Sequence, residues 1–97
     1  MENDDIDMNQ AALQIISLSG SAKSYAIESI REYKMNNSER ANDLLNEAQN
    51  LIKKVHNIQK EILEEGMDNH PTLIMIHAQD HLMTTMLLLD VIKEILV

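Results

Sequence analysis

Apolar residues recur along the chain in three long periodic stretches. From about Met8 to Tyr33, the residues Ala12, Ile15, Ile16, Ser19, Ala22, Ala26, Ile30 and Tyr33 return at steps of three and four, the spacing that lines one face of an α-helix. That face is apolar or small throughout. The cluster Lys34-Met35-Asn36-Asn37-Ser38 breaks the pattern, and Asn37 or Ser38 can cap the next helix by accepting a hydrogen bond from a free backbone N–H. The second helix, about Glu39 to Glu65, has the cleanest pattern: Ala41, Leu44, Leu45, Ala48, Leu51, Ile52, Val55, Ile58 and Ile62. Gly66 suits a left-handed C-terminal cap and Pro71 the first turn of a third helix, which makes Gly66 to His70 the loop.

The third helix, about Pro71 to Leu96, differs in kind. Leu73-Ile74-Met75-Ile76 and Met86-Leu87-Leu88-Leu89 are apolar runs that point in every direction around an axis turning about 100° per residue. Each predicted helix is roughly 38 Å long at about 1.5 Å per residue. The predicted fold is therefore an elongated, all-α, antiparallel three-helix bundle. Two neighbours can cover about half of the third helix. An apolar strip is then left in water, and such a strip marks an interface. Closed symmetry places copies of the third helix around an axis, as a dimer or a trimer.

Composition narrows the chemistry. Ninety-seven residues make one domain, 1–97, with an acidic N-terminal tail at 1–7 that carries Glu2, Asp4, Asp5 and Asp7. Twelve Leu, twelve Ile and seven Met against only Tyr25 and Tyr33 suit aliphatic helix packing. A formal charge of −8 repels nucleic-acid phosphates and anionic lipid. With no Cys there is no disulfide, thiolate zinc site or cysteine nucleophile. The N-terminus lacks the basic opening of a secretory signal, and no apolar run reaches transmembrane length, which points to a cytoplasmic protein without direct membrane insertion.

On the greasy third helix, His77, Asp80, His81 and Thr84 share about 100° of arc, one polar stripe. Two imidazoles and a carboxylate in an apolar segment need hydrogen bonds, a metal or a water-filled cleft, because each unpaired group costs about 1–3 kcal/mol. Three readings compete. The stripe can fix register across a subunit seam. His77-x-x-Asp80-His81 can also hold zinc, although its acid is the short Asp and no third acidic ligand follows. Finally, a neutral imidazole near its reference pKa of about 6.5 can attack a phosphoryl group and form a labile phosphoramidate. That chemistry needs alignment and charge stabilisation, within the reach of a bundle this small.

The stretch Ile76-His77-Ala78-Gln79-Asp80-His81-Leu82-Met83-Thr84-Thr85 resembles the signature of the IIA component of the lactose/cellobiose (N,N′-diacetylchitobiose) class of bacterial sugar phosphotransferase systems. Ser19-Gly20-Ser21-Ala22-Lys23-Ser24 is similar to that family's S-G-x-A-[KR]-S segment, and the order of three long helices agrees over nearly the whole chain. The sequence departs from the family in stopping at Val97, where members commonly continue into a polar tail, and in its short loop around Met67 to Asn69.

The resemblance implies that His77 is the phosphorylated residue. It would accept the group on Nε2 from phospho-HPr and pass it to the cysteine of the cognate IIB component, during uptake of a disaccharide of the lactose, cellobiose or chitobiose type. Asp80 matches the aspartate that each subunit of a homotrimer contributes around a divalent cation, described as magnesium, on the threefold axis, with the third helix at the seam. Three carboxylates about 4 Å apart repel by several kcal/mol per pair at an effective dielectric near 20, and a hard cation removes that penalty.

His81, one turn beyond His77, is positioned to support the phosphoryl oxygens or orient the nucleophile. Thr84 either shares that task or bonds its own backbone. Gln79 projects nearly opposite the stripe and belongs to another packing contact. Gly20 costs roughly 1 kcal/mol against alanine in mid-helix, which suggests a packing glycine or close approach by the third helix or a partner. His56 reads as solvent-facing, His70 carries no role, and Met75 and Met83 read as core. The rival from another class is a structural oligomerisation module whose stripe only sets assembly.

Overall fold

The computed structural model describes residues 2–64 and 72–96, with side chains described from Met8. They form α1 (Glu2–Lys34), α2 (Ser38–Glu64) and α3 (Leu73–Leu96). No strand occurs among the described residues. The molecule measures 53 × 20 × 17 Å, a rod set by the length of α1.

The three helices alternate in direction. A short turn reverses the chain between α1 and α2, where Ser29 Oγ donates to the Ala41 carbonyl at 2.6 Å. Near the other end of α2, Gln59 Nε2 donates to Gln79 Oε1 of α3 at 2.8 Å. α1 is the spine: it packs extensively on both other helices, which meet each other sparsely. Its small buried residues explain this, since Ala12, Ser19, Ala22, Ala26 and Ser29 let two helices approach one side closely.

α1 begins at Glu2, so the acidic stretch expected as a tail continues the helix. At its other end Asn36 takes φ 66°, the left-handed conformation in which asparagine is the usual substitute for glycine. The amide of Asn37 donates to the Glu32 carbonyl at 2.9 Å, which the Met35 amide also reaches at 3.1 Å, and that of Asn36 donates to the Tyr33 carbonyl at 3.0 Å, so carbonyls of the last turn are satisfied.

Asn37 opens α2 through its carbonyl, which accepts from the Ala41 amide at 2.9 Å. Its side chain does not cap: Nδ2 donates instead to Glu32 Oε1 at 3.1 Å, tying the turn to α1. Gly66, His70 and Pro71 lie outside the described residues. The cap of α3 is Thr72, whose hydroxyl accepts from the Met75 amide at 3.2 Å. The third helix thus starts at Leu73, two residues later than predicted.

The predicted faces pack as patterned except at Tyr33, predicted on the inward face of α1 but exposed near its end. α2 buries Ala41, Leu44, Leu45, Ala48, Ile52, Val55 and Ile62, with Leu51 and Ile58 half-buried. α3 buries Met75, Ala78, Leu82, Thr85, Leu89 and Ile92. Its opposite side leaves the apolar strip expected from the sequence, namely Leu73, Ile76, Met83, Leu87, Val91 and Ile95. Met83, expected in the core, is 65% exposed, because its turn position lies across the axis from Leu82 and Thr85.

Gly20 also departs from expectation. A Cβ there would meet nothing within 4 Å, so neither α3 nor any other described part of the chain requires a glycine. Thr85 provides the nearby contact between α1 and α3 instead, its Oγ1 donating to the Ser19 carbonyl at 3.4 Å.

Candidate functional site

The polar stripe lies on the first half of α3. Because Met75, Ala78, Leu82 and Thr85 face inward, the intervening positions 77, 80, 81 and 84 turn outward or to the edge. His77 and Asp80 are exposed and His81 is half-buried.

The two imidazoles meet one turn apart. His77 Nε2 and His81 Nε2 are 3.1 Å apart, with ring centroids at 4.6 Å and planes at 86°. A bond between two ring nitrogens needs one N–H and one lone pair, so one ring donates through Nε2 while the other is protonated on Nδ1. With His81 as donor, His77 carries its proton on Nδ1 and its Nε2 lone pair accepts that single bond, so that breaking it releases a nucleophile on an exposed ring.

Asp80 stands apart from the pair. No hydrogen bond joins its carboxylate to either ring among the described residues, and no group of three His, Cys, Asp or Glu that could hold a metal occurs among them. Asp80 is instead flanked along the outer strip by Ile76, Met83 and Leu87, at the alternating spacing of a helix–helix seam. A single carboxylate is an incomplete ligand set for a hard divalent cation.

The Thr84 hydroxyl lies 3.0 Å from the Asp80 carbonyl and 3.1 Å from that of His81, so its proton is shared within the helix backbone. Gln79 points to α2, as its place on the wheel requires. It accepts from Gln59 and lies 3.9 Å from Met75 Sδ, linking the motif to the sparse α2–α3 contact. Gln59 had no sequence signal, because its partner is twenty residues away. His56 is exposed and lies 3.0 Å from Gln59 Oε1 through Nδ1.

The profile of the PTS system lactose/cellobiose-specific IIA subunit matches residues 10–97. The chain belongs to that family. It is accordingly a phosphotransferase component, a phosphoryl carrier within a multi-protein relay, which removes the purely structural module as an alternative.

A lichenan-specific phosphotransferase enzyme IIA component of Bacillus subtilis is 37% identical over 93 residues, covering 93% of this chain and 84% of the relative. The crystal structure of PtcA from S. mutans superposes with a TM-score of 0.80 at 39% identity, covering 89% of this chain and 87% of the other. The IIA(Chitobiose) structure solved in complex with HPr from Escherichia coli gives a TM-score of 0.78 at 27% identity, covering 92% and 89%. No helix among the described residues of this IIA component is long and apolar enough to cross a membrane.

Proposed function

We propose that His77 of this IIA component is the residue that carries the phosphoryl group, taking it from phospho-HPr and giving it to the cysteine of a cognate IIB component. The observation that carries this reading is the exposed His77 ring, whose Nε2 is engaged by a single neighbour, His81 Nε2, at 3.1 Å. Attack by that lone pair on phosphorus forms the new N–P bond as the donor's N–P bond breaks. The Nε2–H of His81 then transfers its hydrogen bond to a phosphoryl oxygen, a charge-assisted bond worth about 1.5–3 kcal/mol. Thiolate attack by the acceptor breaks the N–P bond and restores the imidazole pair.

An HPr donor is consistent with the complex solved for the chitobiose relative. The sugar handled by the whole relay is a disaccharide of the lactose, cellobiose or chitobiose type, and the carrier works in the cytoplasm without touching it.

The working unit in this reading is a homotrimer with α3 at the seam. Six exposed apolar residues along one side of α3 support it, since water-facing Leu, Ile, Met and Val on one strip call for a partner surface. Three copies of Asp80 would meet there and complete an oxygen ligand set for a magnesium-type cation, which would neutralise the carboxylates and take no part in transfer. Incubation with phosphoenolpyruvate, enzyme I and HPr tests the reading. The expected product is an acid-labile, base-stable phosphate that is chased onto IIB and is lost in His77→Ala; retention of the label in that variant would refute it.

A further inference from the structure

The stripe carries a second chemistry that phosphoryl transfer leaves unused. We propose that His77 and His81 together chelate a borderline transition-metal cation of the zinc class, and that this binding and phosphoryl acceptance exclude one another. The geometry is that of a two-point clamp. The two Nε2 atoms stand 3.1 Å apart on successive turns of one rigid helix. With a metal about 2.05 Å from each nitrogen, that separation corresponds to an N–metal–N angle of about 98°, between the octahedral and tetrahedral values.

To bind, each ring turns about its Cβ–Cγ bond until both Nε2 lone pairs converge, and the ring that now donates shifts its proton from Nε2 to Nδ1 by exchange with solvent, so that both imidazoles stay neutral. Both ligands are accessible from solvent, and neutral imidazole suits zinc, copper and nickel far better than magnesium. The site is thus distinct in ligand type from the carboxylate of Asp80. The remaining coordination positions go to water, because no third His, Cys, Asp or Glu joins the pair among the described residues. This is an open, reversible site, not a buried structural one.

The second half of the inference rests on His77 as phosphoryl acceptor. One Nε2 lone pair cannot bind a cation and attack phosphorus at the same time, so a bound metal holds the carrier in an unphosphorylated state. Phosphorylation in turn dismantles the clamp.

Calorimetric titration of the full chain with zinc, in excess magnesium to fill any carboxylate site, tests the binding directly. One zinc per chain is expected. Binding should weaken at least about tenfold in His77→Ala and in His81→Ala, because each loses the second arm of the chelate, whereas His56→Ala should bind as wild type. Equal zinc affinity in the wild type and both stripe variants would overturn the site. In the relay assay, zinc should block labelling and a chelator should restore it; labelling that proceeds at saturating zinc would overturn the exclusion. A chain that binds zinc through both histidines but is never phosphorylated on His77 would sink the carrier reading and the exclusion that rests on it while leaving the clamp, and one that is phosphorylated there but binds no zinc would sink the clamp and leave the carrier reading.

Discussion

Replacing Asp80 by leucine separates assembly from cation binding. In the single chain Asp80 is exposed among Ile76, Met83 and Leu87, which are 51%, 65% and 63% exposed. In the proposed trimer, three chains bury this strip against each other and three carboxylates converge. At about 4 Å and an effective dielectric near 20, each pair repels by about 4 kcal/mol, an amount that no single apolar contact offsets. The proposed trimer therefore depends on a cation or on protonated acids. Asp80→Leu removes the repulsion and adds an apolar side chain, whose full burial contributes about 1.5–3 kcal/mol per chain.

Sedimentation and thermal melting with and without a chelator read both effects. The wild type should lose stability or dissociate when the cation is removed, while Asp80→Leu should remain trimeric, melt higher and be indifferent to the chelator. A variant that still holds a full complement of the ion, or a wild type that ignores the chelator at neutral pH, would refute the reasoning.

Other consequences are local. Leu87→Glu, a charge on the exposed strip, should convert the assembly to monomers in sedimentation while leaving helix content by circular dichroism unchanged. Asn36→Ala places a Cβ-bearing residue without a local polar group at φ 66° and should cost about 1 kcal/mol in urea unfolding. Gly20→Ala meets open space and should raise stability by up to about 1 kcal/mol; a loss would mean that a second molecule packs against Gly20. His81→Ala should still be phosphorylated but roughly 10–100-fold more slowly in single-turnover transfer, the equivalent of one charge-assisted hydrogen bond.

The periodicity of α2 was legible to the residue, because a polar face and an apolar face alternate cleanly and packing obeys them. The ends were harder. Acidic residues with no apolar stripe look like a tail, yet the chain from Glu2 is helical, and the cap of α3 is Thr72, whose hydroxyl satisfies a free amide. Single apolar positions on α3 could not be sorted into core and strip from the sequence, since Leu, Ile and Met occur all around it. Only the docking direction on α1, marked by Thr85 against Ser19, decides that Met75 is inside and Met83 outside.

At the site, the spacing of His77 and His81 already placed the rings one turn apart, and the wheel sent Gln79 the other way. The 3.1 Å bond between the rings depends on rotamers, and the pairing of Gln79 with Gln59 on how α2 and α3 meet, neither of which the pattern encodes. Gly20 misled for a related reason: a mid-helix glycine signals that a side chain is dispensable or unwelcome, and only the surroundings distinguish the two.

Phosphopeptide mapping of the full chain after exposure to phosphoenolpyruvate, enzyme I and HPr addresses the central assignment most directly. The account predicts one phosphoryl group per chain, on the imidazole of residue 77. A phosphoryl group found on His81, on His56 or on any hydroxyl, with His77 unmodified, would contradict it.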